Sequence, residues 1–174
     1  MPAQGRHRQR GLSLLEFTLV VIIFALLVVF AFQRIAALQA DMEDASIRYT
    51  VGAMREALAL DFARLIASGR LDRARDLIDA NALALLQRPP RDYGGTVASA
   101  RQAALRPGHW YYDRAAGTVI YQPRFGAAGG DRGGPLMRWR VVPRWTDTDG
   151  DGRYEPATES IHGLALERID DAKG

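Results

Sequence analysis

Gly11-Leu12-Ser13-Leu14-Leu15-Glu16, followed at 17–32 by FTLVVIIFALLVVFAF, is the stretch on which the reading of this 174-residue chain turns. Residues 12–32 give 21 positions, close to the ~20 that cross a hydrocarbon layer about 30 Å thick. One carboxylate, Glu16, lies inside the apolar segment. A charge at that depth costs on the order of a few kcal/mol, so Glu16 marks a functional position whose partner has to be found.

Toward the N-terminus, residues 1–11 carry Arg6, Arg8 and Arg10 and no acid. Two ordinary readings fit such a start. A basic stretch ahead of an apolar one is the order of a secretory signal peptide. Those peptides end in a small-x-small pair, however, and no two small residues stand two positions apart between Ala25 and Ser46. The other reading is a plain single-pass anchor, with residues 1–11 held in the cytoplasm by their positive charge and Glu16 reaching to the interface.

The six opening residues resemble the processing signature of the type IV prepilins and pseudopilins. That signature is a short basic leader ending in Gly, then an apolar or aromatic residue, a small polar residue, two aliphatics and Glu. Gly11, Leu12, Ser13, Leu14, Leu15 and Glu16 match it position by position. The likeness covers residues 5 to about 65 and says little about 70–174. It implies that a prepilin peptidase cuts between Gly11 and Leu12 on the cytoplasmic side, and that the new Leu12 amine is N-methylated. Cleavage there leaves the apolar segment in the product. It also implies that Glu16 pairs with the Leu12 amine of a neighbouring pilin or pseudopilin subunit, at a helix N-terminus whose dipole favours a carboxylate. Such a pair sets register more than it adds net stability, because desolvation offsets much of the attraction.

The partners implied are the lipid bilayer, sibling subunits and an inner-membrane assembly platform. The implied location is the inner membrane, with the N-terminus cytoplasmic and the C-terminal head periplasmic, and then a pilus or pseudopilus. Ala25 and Gln33 stand where many major pilins carry Gly or Pro, which predicts a straighter helix. Removing residues 1–11 takes 23 basic and 20 acidic residues to 20 and 20, so the net charge falls from +3 to zero. A basic surface seeking nucleic acid therefore has no warrant, and no nucleic-acid partner is expected.

Past the apolar run, Ile35, Leu38, Met42, Ala45, Tyr49, Met54, Leu58, Phe62 and Leu65 recur mostly at three- and four-residue intervals, as on an amphipathic helix. One helix over 12–67 is predicted, its 12–33 part a transmembrane and assembly segment and its 34–67 part an amphipathic continuation, stopped at Ser68-Gly69. Two helices broken near Gly52 are the alternative. A second helix is predicted over 71–87, ending before Pro89-Pro90. Residues 108–121 read as a hairpin turning at 113–117, and 136–142 as a further strand. The fold class expected is α+β, a long N-terminal helix packed against a small antiparallel sheet in a head spanning 68–174. Trp110, Tyr112, Trp139 and Trp145 read as core residues rather than an exposed platform.

Asp147-Thr148-Asp149-Gly150-Asp151-Gly152-Arg153-Tyr154-Glu155 carries the second specific signal. Carboxylates at alternate positions with Gly at the sixth resemble the first half of an EF-hand loop, which surrounds Ca²⁺ with six to eight oxygens. In that reading Asp147, Asp149 and Asp151 supply side-chain oxygens and Arg153 its carbonyl, while Glu155 binds directly or through water. The twelfth position is Thr158, with Glu159 one residue later as a further ligand in a loop over 147–159. A solvated Asp- and Gly-rich turn is the competing reading. The chain has no cysteine, and in an oxidising periplasm a bound ion would stabilise the loop where a disulfide otherwise does. Major pseudopilins of type II secretion use calcium in this way.

His109 and His162 stand apart, and no nucleophile-base spacing or phosphate loop occurs, so no enzyme is expected. The expectation is a minor pilin or pseudopilin, a structural subunit of a type IV pilus or type II secretion-like filament. A membrane-tethered periplasmic calcium-binding domain that never polymerises is the alternative.

Overall fold

The computed structural model describes residues 14–125, 134–152, 154–155 and 158–169. The chain divides into two compact units, with the boundary between Leu38 and Gln39. In the first, every described residue is helical and side chains from Leu14 through Ile35 are exposed. In the second, residues 39–67 complete the helix and the rest builds a head.

Helix α1 (Leu14–Ala67) is a single element that passes through Gly52 without a break. Its end shows why Ser68-Gly69 stops it. Gly69 adopts φ +67, its N–H donates to the Ile66 carbonyl at 3.0 Å, and the Arg70 N–H donates to the Leu65 carbonyl at 2.9 Å. This pair of bonds satisfies two of the helix's orphan carbonyls, and glycine adopts the left-handed geometry at little cost.

The predicted second helix is corrected. Residues 71–85 form a 3₁₀ turn (Leu71–Arg73), a five-residue helix α2 (Ala74–Ile78) and a second 3₁₀ turn (Ala82–Leu85). Asn81 accounts for the break: its backbone is extended and its side-chain oxygen accepts from the Leu83 N–H at 3.0 Å, which starts a new turn instead of continuing the old one.

Five strands follow: β1 (Tyr93–Val97), β2 (His109–Asp113), β3 (Thr118–Gln122), β4 (Met137–Trp145) and β5 (Ile161–Ile169), ordered β1-β2-β3-β4-β5 in one sheet. The β2–β3 hairpin pairs His109 with Gln122 and Asp113 with Thr118, as its aromatic and β-branched sequence predicts. Asp113, only 5% exposed, fixes that turn by accepting from the Ala116 N–H at 3.2 Å and the Ala100 N–H at 2.9 Å. The sheet is mixed rather than antiparallel, because β1 runs parallel to β2. A Cβ on Gly94 would fall 2.2 Å from the Tyr111 ring, so glycine is what lets β1 come this close.

The core lies between α1 and the sheet. Ile47, Val51, Met54 and Leu58 of α1 pack in one cluster with Trp110, Tyr121, Trp139, Val141 and Leu166. Trp110 lies 4.7 Å from Tyr121 and 5.3 Å from Trp139, centroid to centroid, at tilted angles that suit ring quadrupoles. Of the four aromatics read as core, Trp110 and Trp139 are buried, while Tyr112 and Trp145 are half-buried.

The amphipathic stripe is corrected in its first half. Ile35, Leu38, Met42, Ala45 and Tyr49 are exposed, whereas Ile47, Thr50, Val51, Met54, Leu58 and Phe62 are buried. The step of five residues from Tyr49 to Met54 turns the helix about 140° beyond a full turn. The predicted positions therefore belong to two different faces, and only the second faces the sheet.

Candidate functional site: an acidic loop and an exposed apolar helix

In the first unit the site is the apolar helix surface. Large apolar side chains from Leu14 to Phe32 are between 36% and 85% exposed. Glu16 sits in the first turn of α1, where a carboxylate complements the helix dipole. Among the described residues, α1 is the one helix long and apolar enough to cross a membrane. Gly11 and Leu12, the predicted cleavage pair, lie outside the described residues.

In the second unit the acidic loop leaves the end of β4. Asp147 is its organising residue: one carboxylate oxygen accepts from the Gly150 N–H at 2.7 Å and the other from the Gly152 N–H at 3.0 Å. The Asp149 carboxylate accepts from the Asp151 N–H at 3.2 Å. Gly150 and Gly152 adopt φ +79 and +71, the left-handed geometry this tight winding requires. The N–H of Gly150 above all, with that of Gly152, holds the Asp147 carboxyl below its usual range.

One carboxylate oxygen from each of Asp147, Asp149 and Asp151 lies within 4.8 Å of the other two. Two oxygens bound to one Ca²⁺ at about 2.3–2.6 Å are at most about 5 Å apart, so this spacing fits a single ion. Three exposed carboxylates this close repel one another, and a cation between them relieves that repulsion.

Glu155 and Glu159 are not part of this cluster. Glu159 is 6% exposed, and its two oxygens accept from the Thr148 N–H at 2.9 Å and the Glu155 N–H at 2.8 Å. It ties the beginning of the loop to its end, and the carboxylate predicted as a ligand is a brace. Glu155 is exposed and accepts from the Thr158 hydroxyl at 3.2 Å. Arg153 lies outside the described residues.

A second carboxylate brace escaped the sequence reading. Glu43 accepts from the Tyr121 hydroxyl at 2.8 Å, the Arg124 N–H at 2.7 Å and the Phe125 N–H at 2.9 Å. Burial first, and then the bond to Glu43, push the Tyr121 phenol far above its usual range. In sequence Glu43 is one charge among several on α1, and nothing nearby marks it.

No protein-family model, curated protein or solved structure matches this chain.

Proposed function

We propose that the chain is a membrane-anchored structural subunit of a filament, a minor pilin or pseudopilin of the type IV kind. One observation carries the reading: Gly11 to Glu16 stand directly ahead of an exposed apolar segment that belongs to the same unbroken helix as the core-forming residues Ile47 to Leu58. The helix is thus both anchor and scaffold of the head's core. In this reading a prepilin peptidase cuts between Gly11 and Leu12, and residues 12–33 hold the subunit in the inner membrane with the head in the periplasm. Subunits then leave the bilayer through the assembly platform, exchanging lipid for neighbouring helices around the apolar segment. Glu16 sets the stagger by meeting the Leu12 amine of the next subunit. The role is architectural, with no substrate turned over.

Asp147, Asp149 and Asp151 hold Ca²⁺ in this reading. The ion would supply charge neutralisation to a loop whose own N–H groups already fix the ligands, and Glu159 keeps its two ends together.

The acidic loop also favours a second reading, a tethered calcium-binding domain that does not polymerise. Glu16→Ala distinguishes them. A subunit that assembles loses incorporation into filaments at least tenfold while remaining in the membrane, as read by shearing and immunoblotting. Absence of the unmodified chain from the sheared filaments would leave the tether, and incorporation of the variant at the unmodified level would remove Glu16 from assembly.

A further inference from the structure

The strand order of the head's sheet ends at β5, and among the described residues no strand lies beyond its outer edge. Arg55 of α1 shows which main-chain groups point there. Its Nε and Nη2 both donate to the Leu166 carbonyl at 3.2 Å, so Leu166 faces away from β4. By the alternation of an antiparallel strand, the main-chain groups of Leu164 and Arg168 face the same way.

An open groove of about 580 Å³ lies at this edge. Leu58, Leu164 and Leu166 supply its apolar lining, and Arg55, Arg144 and Arg168 its charge. The one acid in the lining, Glu167, is engaged by Arg144 at 2.5 Å. Arg168 shares the alternation of Leu166, which packs against α1, while Arg144 and Glu167 stand on the opposite face of the sheet. Both sides of the edge therefore present a guanidinium.

Hydrogen bonding and charge together say what fits here. Unpaired strand groups suit another extended chain, and lipid cannot satisfy them. A second copy pairing edge to edge would set one arginine group against another. A segment carrying carboxylates meets the arginines instead.

We propose that the outer edge of β5 receives an extended acidic segment of a partner protein as a further strand, with Arg55 as its latch. Leu166 is only 3% exposed, so Arg55 covers the edge at its middle and bars indiscriminate pairing. On docking, a main-chain N–H of the segment takes over the Leu166 carbonyl and the guanidinium turns to a carboxylate. Two bonds to a neutral acceptor are thus exchanged for charge-assisted ones, which only an acidic segment supplies. The inference does not depend on filament assembly.

The probe is a fluorescein-labelled heptapeptide of alternating valine and glutamate, titrated into the full chain in detergent micelles with fluorescence anisotropy as the readout. Saturable binding is expected, weakened about tenfold when lysine replaces glutamate or when the peptide's main-chain nitrogens are methylated. Arg55→Gln should weaken it by a similar factor. Amide exchange followed by NMR on the unmodified chain gives a reading that needs no variant. The unlabelled peptide should slow exchange at Leu164, Leu166 and Arg168 and leave Ala165 and Glu167, which face β4, unchanged. Absence of saturable binding, equal binding of the lysine peptide, undiminished binding by Arg55→Gln, or binding that leaves the three edge amides unchanged overturns the proposal. Protection of those amides that rises with protein concentration alone would assign the edge to a second copy and overturn it too.

Discussion

Glu43 collects three donors from the end of β3 and the residues after it, and each of its oxygens is committed. Its partner Tyr121 is 4% exposed, so removing the hydroxyl leaves a charged acceptor short of one bond in a poorly solvated place. Tyr121→Phe is expected to cost about 1–2 kcal/mol in chemical denaturation. The alkaline behaviour follows from the sign of the shift. A phenol whose folded pKa is raised favours the protonated fold, so its contribution is fully present below the ordinary value of 10.0 and is lost as pH rises through the higher folded value. Phenolate absorbance should therefore show a tyrosine that ionises only as the head unfolds and that the Tyr121→Phe variant lacks. Ionisation of every tyrosine before unfolding would contradict the Glu43 bond. Asp147 has the opposite sign. Its depressed pKa stabilises the loop above the ordinary value of 3.8 and that contribution disappears as pH falls through the folded value. Calorimetry of the detergent-solubilised chain with millimolar Ca²⁺ should show binding heat near neutral pH that Asp147→Ala abolishes. A flat titration of the unmodified chain removes the ion from the account.

Among the elements, Gly94 makes the sharpest prediction. The ring of Tyr111 occupies the space of a Cβ there, so Gly94→Ala forces β1 away from β2 and should cost about 1–3 kcal/mol. Hydrogen exchange should show lost protection in β1 and β2; unchanged protection would mean that β1 does not need its close approach. The same residue explains part of what was legible in the chain. Tyr93-Gly94-Gly95-Thr96 has the composition of a turn, so β1 and its parallel pairing were not foreseen. In β5, Leu164-Ala165-Leu166-Glu167-Arg168 carries helix formers, and only pairing with β4 makes it a strand. The long helix, its stop at Gly69 and the β2–β3 hairpin were legible because local chemistry decides each of them. The inward face of α1 was not, since both faces carry apolar side chains and only the sheet selects between them. In the acidic loop the three aspartates were foreseen together from their alternate spacing. Glu159 was foreseen as a ligand, yet it braces the loop, because its position just past the twelfth residue places it against backbone N–H groups of Thr148 and Glu155.

For the whole molecule, the charge balance and the apolar helix point the same way. The excess of basic over acidic residues lies in the three arginines of residues 1–11, and the product of cleavage after Gly11 is formally neutral. An uncleaved signal anchor, a cleaved secretory peptide and a processed filament subunit differ in the first residue of the mature chain. Intact-mass and N-terminal peptide mass spectrometry of the protein from native membranes, with and without the host's prepilin peptidase, reads that residue directly. The expected product is a chain beginning at N-methylated Leu12 that disappears when the peptidase is absent. A chain retaining residues 1–11 in the presence of the peptidase, or one beginning near Phe32 or Asp41, would contradict it.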